Sequence, residues 1–474
     1  MGAARSRAAM GRRQGDDHVT TLHEFITEAT PPAAARAVAA RAVLDTIGVT
    51  LAGASEPAAR SVQHVIGERG RGSASPEHES GPCRVLGTSL RANAADAALA
   101  NGTAAHALDF DDMCFVSLAH PSAPLVACAL ATAELAGATG HALLDAYIVG
   151  FEIEGRFGRA MNPRHYQKGW HCTSTIGTIG AAAAASRLLG LDATATRHAI
   201  DIAASEASGL KDNFGSMVKP LHAGLAARNG VLAAQLARAG LTANEHAIRG
   251  PQGFLAAMDS EHGAKDLDRF IEDLGRQWEI LDTGITVKLY PSCAATHPAL
   301  DTLLDLKRRE GFGAGEVRAI EIGVDAVTPT VLIHDRPADG LQAKFSMPFC
   351  AAAAIVDGRV GIDTFQDSRV HDRDIVTACS LVSMCVDPTL DGSAPPLTQA
   401  RVTVRLQDGR VLKAAANGAR GYPDRPASDD ELAAKFLSCA VRALPQSRAE
   451  QALAAIRAIE LSPDVRTMME GLWR

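Results

Sequence analysis

The sequence predicts a mainly α protein with a smaller α+β unit set late in the chain, and three observations carry that prediction. Alanine-rich segments of helical period follow one another from 31 to about 250 with only short links. Aromatic residues make up 4% of the chain, and alanine runs such as 181–185 replace them, which suits closely packed helices. After about residue 280 the texture shifts to alternating strand patterns, and helical periodicity returns near the C-terminus.

Each element has a local reason. Pro31-Pro32 opens a helix reaching about 51, since proline suits a first turn. The pattern at 92–108 is a second helix, with His106 and Asp109 at its C-terminal end. Helices at 121–136, 141–159, 173–189 and 193–208 follow, separated by glycine or a Leu-Gly-Leu-Asp turn. Residues 317–324 and 400–406 alternate as strands. Asp408-Gly409 then turns the second into Val411-Leu412-Lys413, a hairpin signal. Stretches at 345–356 and 362–365 read as helical, so 284–415 forms the α+β unit. Helices resume at 429–444, 448–459 and 463–472. Periodicity leaves open whether these close back on the first helices or trail the α+β unit.

Bulk properties bound the function. At 474 residues the chain is long for one core, and two domains are expected. A hydrophobic fraction of 47% with 21% charged residues is that of an ordinary globular protein. The net charge of −7 argues against nucleic acid or an anionic membrane surface as partner. Nine cysteines without a C-x-x-C pair argue against a disulfide framework or zinc site, and a reducing cytoplasm is the simplest compartment. Residues 1–18 lack an apolar signal core and read as a disordered tail. No apolar run of membrane length is present.

Three segments carry chemistry. In Gly215–Gly230, Pro220 fits a helix's first turn, Lys219 stands at its mouth, and His222 shares the face of Lys219. With Arg228 they suit a carboxylate beside unpaired helix N–H groups. The second segment is His106-Ala-Leu-Asp109-Phe-Asp111-Asp112, followed by His120-Pro121-Ser122. The third is Lys288-Leu-Tyr290-Pro291-Ser292-Cys293, followed by His297-Pro298. The acids could hold Mg²⁺, but no second acidic motif at helical spacing accompanies them, and no metal is expected. His106 reads as a supporting histidine, and Cys172 and Cys293 as packing residues rather than nucleophiles.

Together these segments, with Asn101-Gly102-Thr103-Ala104-Ala105 before His106, Gly169-Trp170-His171-Cys172-Thr173, and Met217-Val218 before Lys219, resemble the MmgE/PrpD superfamily. Its members include 2-methylcitrate dehydratases, cis-aconitate decarboxylases and iminodisuccinate epimerases. The resemblance implies a helical domain built from both chain ends (19–283 plus 416–474) with 284–415 inserted as a lid. It also implies a homodimer through the helical domain, a site in the cleft between domains, and no metal or organic cofactor. It places His120, Asp109, Lys219, Lys288 and His171 in catalysis, with Asp109 orienting His120 or binding substrate. His222, Arg228, Tyr290, Cys293 and Asp112 are the candidate substrate-binding residues.

The chemistry shared by such enzymes removes a proton next to a carboxylate, and pre-placed ammonium groups stabilise the resulting anion. A cofactor-free lyase on a small di- or tricarboxylate is therefore expected, with 2-methylcitrate-like dehydration as the default. Decarboxylation of cis-aconitate and epimerisation are the alternatives, and a non-catalytic carboxylate-binding protein is a further one. The chain departs from family decarboxylases at Met113 and Cys293, and it lacks a tyrosine within 331–337.

Overall fold

The computed structural model describes residues 21–71, 81–258, 263–390 and 395–472, so the expected tail at 1–18 lies outside the described residues. Its first half is a helical cluster: α1 (Ala33–Gly53), α2 (Ala94–His106), α3 (Ser122–Ala136), α4 (Gly140–Met161), α5 (Cys172–Leu188), α6 (Ala193–Glu206) and α7 (Val218–Arg238). The starts and ends fall within a few residues of those read from sequence. Pro32 caps α1, as the proline pair indicated. No single helix among the described residues is long and apolar enough to cross a membrane.

Small residues explain how the cluster closes. From Cys172 to Ser186 every residue of α5 is buried, so this helix has no solvent face. The α2–α7 crossing is closer still. A Cβ on Gly224 would stand 2.2 Å from the Thr103 hydroxyl and 2.4 Å from the Leu99 carbonyl, and one on Gly102 2.9 Å from the Gly224 Cα. Only glycine lets these backbones meet, and the contact brings the first turn of α7 beside the last turn of α2.

The second half begins with α8 (His297–Glu310) and includes α9 (Met347–Asp357). Numbering strands along the whole chain, β1 (Cys83–Arg84) and β2 (Arg91–Ala92) form a small antiparallel pair in the helical half. The main sheet comprises β3 (Val317–Val324), β4 (Val382–Val386), β5 (Ala400–Leu406) and β6 (Val411–Ala416), in the order β4-β3-β5-β6. The hairpin read from Asp408-Gly409 joins β5 to β6, with Gly409 at a φ of 92°. Strand β4, which the sequence reading omitted, pairs parallel to β3 at the sheet edge, and its largely exposed face carries no alternating signal. The segment at 362–365 is a single 3-10 turn rather than an α-helix.

The C-terminal helices α10 (Asp429–Ala440) and α11 (Gln446–Arg457) settle the question left open by periodicity: they pack on α1. Phe436 of α10 lies against Gly48, and the Gly140 N–H donates to Ser462 O at 2.9 Å. The most specific tie is Lys435, buried in α10. Its ammonium lies 2.8 and 3.0 Å from the two carboxylate oxygens of Asp45 in α1 and donates to Phe110 O at 2.7 Å. Burial raises the pKa of the Asp45 carboxyl, and the ammonium of Lys435 opposes that rise. We expect Lys435→Met to lower stability by about 3–5 kcal/mol, because it strands a buried carboxylate. Urea unfolding would show this, and Lys435→Met combined with Asp45→Leu should recover most of the loss.

Candidate active site

The site forms where several element ends meet. His106 is the last residue of α2, His120 precedes α3, His171 caps α5, and Lys219 and His222 lie in the first turn of α7. Three helix N-termini therefore border it, each carrying partial positive charge. Lys288 and Cys293 come from the loop before α8, and Lys344 with Phe345 from the turn before α9.

At the centre is the loop from Leu108 to Asp112. Its carbonyls at Leu108, Asp109 and Phe110 accept in turn from Lys344 (2.7 Å), Lys288 (3.0 Å) and Lys435 (2.7 Å). Lys344 also donates to Pro291 O at 3.0 Å, which fastens the Lys288 loop to the same point. Asp109 sits in the left-handed region at a φ of 51°, a conformation that aspartate tolerates better than most residues. Its carboxylate takes a hydrogen bond from Lys219 and lies 3.0 Å from the ammonium of Lys288. Burial opposes its ionisation, but the charges of Lys219 and Lys288 prevail and hold its pKa well below the usual range.

Asp111 serves the histidines instead. One of its oxygens is 2.7 Å from His106 Nδ1 and 3.3 Å from His120 Nδ1. Burial works against this charge too, and the two imidazoles keep its pKa well below normal. Asp112 is different again. It accepts from the Ser122 N–H at 3.2 Å and from the Ser122 hydroxyl, which lies 2.6 Å from the Tyr147 hydroxyl. Burial without a cation pushes its pKa up to about 7.

These groups border a narrow cavity of about 20 Å³. His120, His171, Lys219, Tyr166 and Cys293 form its polar wall. Met113, Leu118, Phe214, Val331, Phe345 and Leu397 are its apolar lining, and the Lys219 ammonium lies 5.4 and 5.1 Å from the rings of Phe214 and Phe345. Burial is the main influence on all three imidazoles at or behind the polar wall. It lowers His120 to about 3, aided by Lys288, lowers His222 to about 4, and holds His171 well below 6.5. His171 and His222 meet through their Nδ1 atoms at 3.0 Å, so one ring carries a proton there and the other accepts it. His120 is positioned by its N–H, which donates to the Thr173 hydroxyl at 3.0 Å.

The candidate residues thus separate. His120, His171, Lys219 and Cys293 face the cavity; Asp109 and Lys288 stand directly behind Lys219, and His222 behind His171. Asp109 pairs with lysines, and Asp111 takes the place beside His120 that the sequence reading gave to Asp109. Three candidates are not brought to the cavity. Asp112 points into the Ser122–Tyr147 network. The Tyr290 hydroxyl donates to Asp301 at 2.5 Å and accepts from Arg420 in a separate cleft. Arg228 lies further along α7, where its charge acts on Glu206.

Residues missed from sequence include Lys344, Lys435, Phe214, Phe345 and Tyr166. Lys344 had a usable signal, a lone lysine between Ala343 and Phe345 just before an apolar helix. Tyr166 lines the cavity from outside 331–337, and burial raises the pKa of its phenol well above the usual value.

His106, Asp109, Asp111 and His120 bring donor atoms within 4.8 Å of one another, a set with the chemistry to hold a cation. The ammonium groups of Lys219 and Lys288 already supply positive charge at Asp109.

Backbone strain concentrates here as well. Among the described residues the non-glycine positions at positive φ are Asp109, Leu118 (49°) and Leu397 (70°), and the two leucines are cavity walls. The left-handed region costs a leucine about 1–2 kcal/mol.

The depressed imidazoles have a pH consequence. A histidine whose folded pKa is lowered contributes stability above the free value of about 6.5, and loses it as pH falls toward the folded value. His171→Gln removes one such group. Acidification from pH 7.5 to 5 should therefore cost this variant about 2 kcal/mol less than the unaltered chain. Paired denaturation curves at the two pH values check this, and equal losses would show that folding does not lower the His171 pKa.

The sequence matches the MmgE/PrpD N-terminal domain over residues 20–266 and the MmgE/PrpD C-terminal domain over residues 290–461. It is similar to the cis-aconitate decarboxylase-like protein oryM of Aspergillus oryzae, 28% identical over 472 residues, which cover 94% of this chain and 95% of the relative. Cis-aconitate decarboxylases of Mus musculus and Homo sapiens are also 28% identical, over 377 and 390 residues. Those alignments cover 77% and 79% of this chain, and 75% and 79% of the relatives. Both domains match in order, and the residues that carried the resemblance converge on one loop and cavity, so the chain belongs to the MmgE/PrpD family.

Proposed function

We propose that the protein is a carboxy-lyase that needs no cofactor and decarboxylates a small unsaturated polycarboxylate of the cis-aconitate type. One observation carries the reading: His120 and Lys219 face the same cavity, each backed by a buried carboxylate. Dehydration, the default reading of the sequence, gives way to decarboxylation because the relatives named above are cis-aconitate decarboxylases or a decarboxylase-like protein.

In this reaction the bond between a carboxylate and an allylic carbon breaks, and CO₂ departs. The bond's electron pair moves across the double bond to the carbon beside a remaining carboxylate. That carboxylate gains enolate character, and the Lys219 ammonium stabilises it. The same carbon then takes a proton, which leaves a methylene product. His120 is the proposed donor. Its Nδ1 lies 3.3 Å from Asp111, and Nε2 is the atom proposed to serve substrate.

In the free site His120 is neutral, with a pKa of about 3 set first by burial and then by Lys288. A bound polyanion reverses that balance by placing negative charge beside the ring, so substrate and proton enter together. Each turnover consumes one proton from solvent. The proposal keeps 284–415 as the lid, the homodimer through the helical domain, and a reducing cytoplasmic setting. The last is supported by nine free cysteines.

Proton NMR of cis-aconitate turnover in D₂O tests the reading. CO₂ release with one deuterium on the carbon beside the retained carboxylate is expected. Water addition or loss, or exchange without CO₂, would replace it with the dehydratase or epimerase reading. His120→Gln should lower kcat about 10²–10⁴-fold, the usual range for loss of a proton-transfer group. Lys219→Ala should cost about 10²–10³-fold, as for loss of an anion-stabilising donor. Turnover near that of the unaltered chain in both variants would remove the proposal.

A further inference from the structure

We propose that the apolar wall formed by Leu118, Val331 and Leu397 is a specificity subsite for a short aliphatic arm on the substrate. The preferred ligand is then an alkyl-substituted dicarboxylate rather than a tricarboxylate. The inference rests on the reading of this cavity as the substrate site. It goes further by naming the substrate class and the residues that select it.

Charge supply is the first argument. Among the described residues, the cavity lining contains one ammonium, Lys219, and no arginine. That ammonium already shares its charge with Asp109. Lys288 is likewise committed to Asp109, and Lys344 to the carbonyls of Leu108 and Pro291. Three carboxylates in so enclosed a space would leave anionic oxygens against Leu118, Val331 and Leu397, where nothing replaces their lost water.

Construction of the wall is the second argument. Leu118 and Leu397 both hold the left-handed backbone conformation that disfavours leucine, and both side chains are buried at the cavity. The carboxylate of Asp325, just beyond β3, fixes this wall. It accepts from the Val327 and Thr328 N–H groups at 2.9 Å, from the Thr328 hydroxyl at 3.1 Å, and from the Leu397 N–H at 2.8 Å. One half-buried acceptor therefore ties the turn that leads to Val331 to the loop that carries Leu397. Leu118 sits on a tight turn closed by the Cys114 N–H donating to Ala119 O at 2.9 Å. Apolar side chains fixed from two directions at a conformational cost mark a surface shaped for contact.

Calorimetric binding to the full chain tests this with succinate, 2-methylsuccinate, 2-propylsuccinate and tricarballylate, none of which can be turned over by allylic decarboxylation. Affinity should rise about fourfold for each methylene buried from succinate to the propyl derivative. Tricarballylate should bind more weakly than 2-propylsuccinate. Leu397→Ala and Leu118→Ala should collapse the propyl-to-succinate affinity ratio, and the volume-conserving Leu397→Met should retain it. The chain-length series on the unaltered protein decides the matter even if a leucine variant fails to fold. A flat series, tightest binding of tricarballylate, or no binding of any of the four would overturn the inference. Loss of the decarboxylase reading alone would look different: the alkyl increment would persist while neither cis-aconitate nor 3-propylglutaconate, its dicarboxylate counterpart with an alkyl arm, yields CO₂.

Discussion

The structure turns on a single carboxylate shared by two ammonium groups. Asp109, Lys219 and Lys288 are all buried, and they come from the end of α2, the start of α7 and the loop before α8. None of the three is tenable there alone, since an unpaired buried charge is strongly destabilising. Their mutual need fixes where the α+β half meets the helical half. The lysine row deepens the constraint. Three successive carbonyls, which a tight loop would otherwise leave without partners, are each taken by an ammonium from a different element. The loop is thus rigid because distant parts of the chain hold its backbone, and its side chains inherit that rigidity.

Rigidity lets neighbouring acids differ in charge state. Asp109 is ionised by lysines, Asp111 by histidines, and Asp112, without a cation, has its pKa pushed to about 7 by burial. Sequence proximity would suggest one uniform acidic patch, but each carboxylate meets different partners, even though Asp109 and Asp111 lie within 4.8 Å of each other. Asp112 braces the start of α3 through Ser122, while Asp111 sits beside His120. One motif therefore combines an anchor for cations, a partner for imidazoles and a brace for a helix.

Much of the helical architecture was legible because alanine and glycine at helical spacing leave few other ways to bury the chain. The β5–β6 hairpin was legible from its Asp-Gly turn. Pro220 marked the first turn of α7 and so located Lys219. What stayed hidden depended on distant contacts. Lys435 is recognisable only as a lysine on the buried Leu432–Phe436–Cys439 face of α10, and its partners Asp45 and Phe110 lie hundreds of residues away. Tyr290 shares a motif with Lys288 and Cys293, yet Asp301 and Arg420 draw its hydroxyl into another cleft. Asp111 took the place beside His120 expected of Asp109 because two residues of spacing cannot reveal which carboxylate meets a lysine and which an imidazole.

The two walls of the cavity divide recognition from chemistry. The polar lining is close to charge-balanced before anything binds: the ammonium groups of Lys219 and Lys288 are countered by the carboxylates of Asp109 and Asp111 together, and the cavity imidazoles are kept neutral by burial. A site in that condition attracts anions only moderately, but it responds sharply to one that arrives, because added negative charge is what permits His120 to protonate. Under the proposed reading, selectivity then comes largely from the apolar lining, where shape and contact distinguish substrates that present the same carboxylate. This explains why strain is placed under Leu118 and Leu397 rather than under the imidazoles. The polar groups are held by strong, directional partners, whereas an apolar surface has none and depends on the backbone beneath it. Substitutions on that wall can therefore change which carboxylate is accepted while the lysines, Asp109 and Asp111 continue to serve the same reaction.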